Sequence, residues 1–269
     1  MLAKERQRLV VGEVQRRGAA SVGELTALLQ VSGMTIRRDL DALQREGVLE
    51  KVHGGAVALS RSAEEPGFDA KFFRERSEKK AIAEAALALV KPHSSIALSA
   101  GTTTWFLASR LSEVEDLTVV TNSLKAADAL AAERSRGMQL VLTGGTLTSS
   151  SALVGPMADV SIRSLAVDLL FLGVHGMDPD AGFTTPNLAE AETNRLLLAH
   201  AHQVVVLADH TKWRTIGLSR ISDLSAADTV ITDDGIDPEA TATLQERVRR
   251  LIIARTADFP AEPRDPGSR

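Results

Sequence analysis

The sequence contains no cysteine. That absence excludes disulfides, thiolate nucleophiles and cysteine-ligated zinc or iron–sulfur centres. No apolar run approaches the ~18 residues of a membrane span, Val204 to Ala208 being one of the longer clean stretches. The start, MLAKERQRLV, is charged from residue 4 and lacks the apolar core of a secretory signal, so a cytoplasmic protein is expected. The six histidines show no metal-ligand spacing with carboxylates; His200 and His202, at i, i+2, face apart on a helix. Neither a metal nor a cofactor is expected, and there is no internal repeat. What is present is 269 residues, 44% hydrophobic and 25% charged, the balance of a globular protein rather than a disordered or fibrous one. That length suits one large domain or two smaller ones.

The net charge of −4 does not advertise nucleic-acid binding, but it is unevenly spread. Residues 1–60 carry nine bases and seven acids, net +2; the remainder carries 22 bases and 28 acids, net −6. Ser60-Arg-Ser-Ala-Glu-Glu-Pro-Gly67 between them is polar with a Pro-Gly step, the composition of a linker. The expected organisation is a DNA-binding domain over 1–59, a linker over 60–75, an α/β domain over 76–256 and a disordered tail over 257–269. Three prolines in the last thirteen residues support the tail.

The first sixty residues read as three short helices and a hairpin. Leu9, Val10 and Val14 give the first helix its apolar spacing, with Gly18 at its end. Ser21-Val-Gly-Glu24 has the form of a capping box opening the second, which carries Leu25, Leu28 and Leu29. Ser32-Gly-Met-Thr35 opens the third, apolar at Ile36, Leu40 and Leu43, and Gly47 ends it. Val48–Val52, the His53-Gly54-Gly55 turn and Ala56–Leu59 read as strand, turn, strand. Two helices joined by a short turn suggest a helix-turn-helix, whose second helix enters the major groove by its N-terminal residues. A small structural bundle with solvated arginines is the alternative on pattern alone. The set Arg6, Val10, Val14, Ser32, Thr35, Ile36, Arg37, Arg38, Asp39 and Leu40 resembles the signature of DeoR-type bacterial transcriptional regulators, and Val52-His-Gly-Gly-Ala56 resembles their wing. The resemblance implies a winged helix-turn-helix that binds a double-stranded DNA operator. Helix Gly33–Glu46 is then the recognition helix, with DNA contacts at Ser32, Met34, Thr35, Arg37, Arg38, His53 and Gly54. Asp39 is expected to brace an arginine rather than touch DNA.

From about residue 68 the pattern alternates helix and strand. Short apolar runs stand at Ile96–Leu98, Leu117–Val120, Gln139–Leu142, Asp168–Leu172, Val204–Leu207 and Thr229–Ile231. Helical stretches are expected at Ser77–Val90, Thr104–Leu111, Leu124–Glu133, Ala158–Leu165 and Leu188–Ala201. This alternation predicts an α/β domain with a mostly parallel sheet covered on both faces, its ligand site at the carboxyl ends of the strands. Glycine and polar clusters fall at those ends: Gly101-Thr-Thr-Thr104, Thr121-Asn-Ser123, Thr143-Gly-Gly145, Gly173-Val-His-Gly176 and Ala208-Asp-His-Thr-Lys212. Gly101 to Thr104, after a strand and before a helix, suits an oxyanion, since hydroxyls and helix-start amides donate there. An ordinary threonine cap, a tight turn at Gly144-Gly145 and a solvated Lys212 are the bland counterparts.

Leu98-Ser-Ala-Gly-Thr-Thr-Thr104, Val120-Thr-Asn-Ser123, Leu153-Val-Gly-Pro156, Gly182-Phe-Thr-Thr-Pro186, Glu190-Ala-Glu192 and Ala208-Asp-His-Thr-Lys212 resemble the DeoR-type sensor domain. That domain is similar to ribose-5-phosphate isomerase and binds phosphorylated sugars or related metabolites. The resemblance implies an effector pocket formed by Gly101, Thr102, Thr103, Asn122, Gly144, Gly145, His210 and Lys212, with Thr104 in the same loop. Glu190, Asn194 and Arg195 are expected to present one polar edge to it, and His175 is either a ligand contact or a hydrogen-bonded structural residue. Three departures stand out: Ser99-Ala100 where many relatives have an aspartate, Gly173-Val-His-Gly176 for a common Gly-Ala-Asp-Gly, and Asn194 for a lysine. Isomerisation needs a carboxylate base, so losing acids from two loops argues against catalysis. The expectation is a homodimeric or homotetrameric repressor of a carbohydrate operon, released by a phosphorylated sugar or polyol, with no catalytic residues. The alternative is an isomerase-like enzyme with an accessory helical domain.

Overall fold

The computed structural model describes residues 3–17, 19–45, 49–52, 54–58, 67–133 and 135–259. They fall into two units, residues 1–61 and 62–269. In the first, α1 (Ala3–Arg17), β1 (Ala19–Ser21), α2 (Val22–Leu29), α3 (Gly33–Arg45), β2 (Leu49–Val52) and β3 (Gly55–Ala58) follow in order. The capping box forms as expected: Ser21 Oγ accepts from the Glu24 amide at 3.2 Å, and Glu24 Oε2 accepts from the Ser21 amide at 2.8 Å. Val10 and Val14 of α1, Leu25 and Leu29 of α2, and Ile36, Leu40 and Leu43 of α3 close over Leu49 and Ala56 of the hairpin. One element escapes sequence reading. The three-residue β1 pairs with β3, making a three-stranded sheet, and is too short to show a period. Gly18 and Gly47, expected to end helices, lie outside the described residues.

The second unit opens with α4 (Phe68–Phe72) and α5 (Arg76–Leu87), then β4 (Ser95–Leu98), α6 (Thr102–Ala108), β5 (Thr118–Thr121), α7 (Leu124–Ala132) and β6 (Gln139–Leu142). A small hairpin, β7 (Thr146–Leu147) and β8 (Leu153–Val154), leads to α8 (Pro156–Arg163), β9 (Val167–Gly173), β10 (Gly176–Asp178) and β11 (Gly182–Thr185). The chain continues through α9 (Leu188–Ala199), β12 (Ala201–Leu207), β13 (Ser219–Ser222), β14 (Thr229–Asp233), α10 (Pro238–Arg247) and β15 (Arg250–Ala254). Two expectations change. Within 60–75, read as linker, Phe68–Phe72 is helical because its aromatic rings are buried: Phe72 stacks on Phe106 at 5.4 Å and meets Trp105 edge-on at 4.9 Å. At the other end Thr256–Asp258 forms a short 3-10 helix and Phe259 packs on the core, so the expected tail does not begin at Ala257. Residues 260–269 lie outside the described residues.

Among the described residues seven parallel strands form one sheet, in the order β15-β14-β12-β9-β4-β5-β6. All six apolar runs read from sequence are in it. The central strands are apolar throughout because both faces are covered. Ile96, Leu98, Val119, Phe171, Val205 and Ile231 pack towards α5, α6 and α7. Their alternates Ala97, Val120, Leu170, Leu172, Val206 and Val230 join Ala191 and Leu197 of α9 and Leu244 of α10.

Chain order runs outwards from β4 through β5 to β6 on one side, and from β9 through β12 and β14 to β15 on the other. The reversal lies between β4 and β9, which pair from Ile96 with Leu169 to Leu98 with Phe171. Loops leaving neighbouring strands diverge at such a point, and the crevice outside the carboxyl ends is where doubly wound sheets take ligands.

Candidate functional site

In the first unit the exposed side of α3 is the chemically distinctive surface. Ser32 Oγ caps the helix by accepting from the Thr35 amide at 3.2 Å. Met34, Arg37 and Arg38 stand exposed and Thr35 half-buried, because Ile36, Leu40 and Leu43 take the buried side. Asp39 is buried with them. Its carboxylate accepts Arg6 Nε at 2.5 Å, Arg6 Nη2 at 3.1 Å and Gln7 Nε2 at 3.3 Å, a two-pronged pairing that ties α1 to α3. The bracing role expected of Asp39 is what the geometry shows. Lys51 of β2 meets Asp41 Oδ1 at 2.5 Å and holds the hairpin to the same helix. Gly54 is exposed at the hairpin turn with φ +86°. His53 lies outside the described residues.

In the second unit a crevice opens at the β4–β9 reversal. It is lined by Ala100, Gly101, Thr102 and Thr103 after β4, and by Gly173, Val174 and His175 after β9. Thr185, Glu190, Asn194, Lys212 and Lys71 complete it. Ser99 holds the two loops together, its buried hydroxyl accepting from the Gly173 amide at 2.8 Å. His175 Nε2 is buried with no hydrogen-bond partner among the described residues. Burial first, then the charges of Lys212 and Lys71, push His175 down to about 4, so it is neutral at pH 7. Two lysines, threonine hydroxyls and loop backbone line the crevice beside a neutral imidazole, a donor set suited to an anion. Opposite in character is Glu190, whose Oε1 accepts from Thr148 Oγ1 at 2.6 Å and from the Ser150 hydroxyl.

Comparison with known proteins sets this geometry in a family. Residues 6–62 match the DeoR-like helix-turn-helix domain and residues 74–234 the DeoR C terminal sensor domain. The chain belongs to the DeoR family. Among relatives of this DeoR-family regulator, the uncharacterized HTH-type transcriptional regulator YulB of Bacillus subtilis is 36% identical over 92% of this chain and 95% of its own. The putative aga operon transcriptional repressor of Escherichia coli O157:H7 is 31% identical over 93% of each chain. The HTH-type transcriptional regulator GolR of Listeria innocua is 36% identical over 94% of this chain and all of its own. These relatives are named as regulators, not enzymes. Among solved structures, a D-ribose-5-phosphate isomerase in complex with phospho-erythronic acid aligns over 52% of this chain and 54% of its own, 19% identical, TM-score 0.38.

Of the residues expected in the pocket of this DeoR-family protein, the structure brings together Gly101, Thr102, Thr103, His175, Glu190 and Lys212. The others do not line the crevice. Thr104 is buried and turns its hydroxyl back to the Ser99 and Gly101 carbonyls. Asn122 is a brace, accepting from the Ala100 amide at 3.0 Å and donating to the Leu153 carbonyl at 3.2 Å. Gly144 and Gly145 shape the turn after β6; a Cβ on Gly145, at φ +118°, would sit 2.5 Å from the Val154 carbonyl oxygen. Arg195 pairs with Glu192 at 2.9 Å and donates to the Arg220 carbonyl. The expected polar edge divides there by helix geometry. Residue i+4 lies ~40° round from Glu190 and shares its face, whereas i+5 lies ~140° away. Asn194 therefore lines the crevice and Arg195 does not. Lys71 was missed altogether, its side chain lying in the stretch read as linker. The flanking Phe68, Phe72 and Phe73 were the available sign of a buried helix.

His210 serves a different network. Its amide donates to Asp233 Oδ1 at 2.7 Å and its Nδ1 meets Asp233 Oδ2 at 2.7 Å. That hydrogen bond, against burial and with the Asp233, Asp209 and Glu75 charges, pushes His210 up to about 9. Close by, burial opposes ionisation of Asp209 but the Lys212 and Lys79 charges prevail and hold its carboxyl below the usual range. Since His210 titrates near 9 when folded and near 6.5 otherwise, its stabilisation is complete below pH 6.5 and drains as pH rises to 9. Lys79, lowered to about 8 chiefly by burial, contributes in the opposite sense only above pH 8. The melting temperature is expected to fall between pH 6.5 and 8, and His210→Gln to flatten that slope. An unchanged slope in the variant would mean the pair does not form in solution.

Proposed function

We propose that this protein represses a carbohydrate-metabolism operon, its first unit reading operator DNA and its second releasing it when a phosphorylated sugar or polyol enters the β4–β9 crevice. The observation that carries the reading is the pairing of an exposed Met34, Arg37 and Arg38 face on a helix-turn-helix with a lysine-bearing crevice at the sheet's reversal point. Ser32, Met34, Thr35, Arg37 and Arg38 are the DNA contacts, with the His53-Gly54 turn beside them. Arginine suits guanine because its planar fork meets two acceptors on one base edge. A net +2 over residues 1–60 is small for a DNA reader. Affinity therefore comes from two such modules on one operator, which calls for a homodimer or homotetramer acting in the cytoplasm.

Regulation requires the effector to bind the DNA-competent and incompetent arrangements unequally. Lys71 supplies the means. It lines the crevice from α4, the first described element after residues 59–66, and α4 rests through Phe72 on Phe106 of α6, the helix that begins with Thr102 and Thr103. One ligand thus touches both α6 and the element next to the segment that leads to the DNA-binding unit.

The test is DNA retardation with a fragment from upstream of the protein's own gene. Wild type is expected to bind with a steep salt dependence, as phosphate contacts release counterions. Arg38→Ala is expected to lower affinity at least ~10-fold, since a bidentate base contact is worth ~1–3 kcal/mol per module and two modules share the operator. Its melting temperature should not move, Arg38 being exposed. Salt-insensitive binding, or wild-type affinity in Arg38→Ala, counts against the DNA-reading assignment of this face.

A further inference from the structure

The seven-stranded sheet has two edges, and they differ in chemistry. At one, β15 begins with Arg250 and stands between Arg249 and Arg255, the charged guard that keeps an edge strand from pairing with other chains. At the other, β6 has no such guard. Residues 137–158, which hold β6, β7 and β8, contain no Lys, Arg, Asp or Glu although 25% of the sequence is charged, and β6 itself reads Gln-Leu-Val-Leu without proline. Its side chains are not withdrawn from water: Val141 is 36% and Leu142 45% exposed, and Leu147 of the following β7 is 53% exposed. The backbone is open as well. The Gln139 amide donates to the Leu117 carbonyl at 2.8 Å and the Thr143 amide to the Thr121 carbonyl at 3.1 Å, both on the β5 side. By the alternation of a strand, the amides and carbonyls of Leu140 and Leu142 turn outwards, and among the described residues no strand lies beyond them.

From this we propose that β6 is the seam between two copies of this chain: the two β6 strands run antiparallel across a twofold axis at Val141 and join the sheets edge to edge. The inference rests on the homo-oligomeric reading above and gives it a surface. With the axis at Val141, Leu140 of one copy stands opposite Leu142 of the other. Both turn their amides and carbonyls outwards, so each such pair exchanges both its N–H···O bonds. Val141 meets its own counterpart in the closer, non-hydrogen-bonded pair. Charge selects the occupant. At a twofold axis a residue faces its own copy, so a charge there repels itself; β6 offers none, whereas β15 would crowd its arginines against their counterparts. A partner chosen by opposite charge finds nothing on this edge to read. The pairing also closes, since each copy uses the same edge and none is left over for a third.

The lack of cysteine makes the test direct, because a single introduced thiol can cross-link only with its own copy. Val141→Cys in the full-length protein is expected to give a disulfide-linked dimer under mild oxidation. Ile253→Cys on β15, a position of similar exposure, is expected to stay largely uncross-linked. In sedimentation velocity wild type is expected to run as a dimer or tetramer and Val141→Lys at half that mass. Its dissociation constant should rise at least ~30-fold, as like charges meet at the axis. Val141→Glu alone is expected to behave likewise, and an equimolar mixture of the two variants to recover the wild-type mass. A damaged fold cannot be rescued in that way, nor can an interface elsewhere. Wild-type mass in Val141→Lys, failure of the mixture to reassemble, or no cross-link in Val141→Cys overturns the inference while the homo-oligomeric reading stands. A wild-type monomer at concentrations that saturate the operator fragment overturns both.

Discussion

Asp39→Ala is expected to unfold the DNA-reading unit while the sheet-bearing unit stays folded. Asp39 is 3% exposed, and its loss leaves the Arg6 guanidinium, whose side chain is 14% exposed, with no other ion-pair partner among the described residues. Removing one partner of a buried pair is far more damaging than removing both, because the remaining charge keeps its desolvation cost. A unit of about sixty residues has little stability to spare. In calorimetry the transition of the first unit should disappear or fall by at least ~10 °C, and operator binding with it. The transition of the second unit should be unmoved. Arg6→Met with Asp39→Leu, which replaces the pair by apolar side chains, should restore the lost transition in part. A single variant that melts like wild type would show that the pair contributes nothing to the fold.

The second large effect is expected at Lys71. Lys71→Ala removes a cation from the crevice wall on α4, and a charge-assisted contact to an anion is worth ~1.5–3 kcal/mol, or ~10–100-fold in ligand concentration. The same change at Lys212 is harder to interpret. Lys212 also neutralises the fully buried Asp209, so its removal mixes ligand loss with unfolding. The Lys71→Ala protein should bind operator normally and need ~10–100 times more sugar phosphate for release. Release at the wild-type concentration would remove Lys71, and α4 with it, from the regulatory path.

What was legible in the sequence follows from what each signal depends on. The six sheet strands and the three N-terminal helices announce themselves because burial imposes its own period, and local capping chemistry at Ser21 and Ser32 marks where helices start. β15 was not foreseen. It is an edge strand, with Ile253 41% exposed and arginines preceding it, so no fully buried run marks it. Nor was the strand order readable: that β4 lies beside β9, which brings Gly101 against Gly173, is decided by packing across more than seventy residues. The expected site residues therefore fall into two groups. Those at the reversal point, such as Thr102 and His175, line the crevice, joined by Lys212 from the loop after β12. Those at the ends of other strands, such as Asn122, Gly144 and His210, have ordinary structural partners. Position at a strand end was visible, but which strand ends are neighbours was not.

The central claim is that occupancy of the crevice changes affinity for DNA. The direct measurement is fluorescence anisotropy of the labelled upstream fragment with wild-type protein. Glucose 6-phosphate, fructose 1-phosphate, fructose 6-phosphate, ribose 5-phosphate and glycerol 3-phosphate are titrated separately, with the free sugars and glycerol as controls. At least one phosphorylated compound should weaken DNA binding by ~10-fold or more at saturation, and its unphosphorylated counterpart should not, a coupling of at least ~1.4 kcal/mol between the two sites. DNA affinity that stays constant across the whole panel, in protein that binds the fragment well, would contradict it.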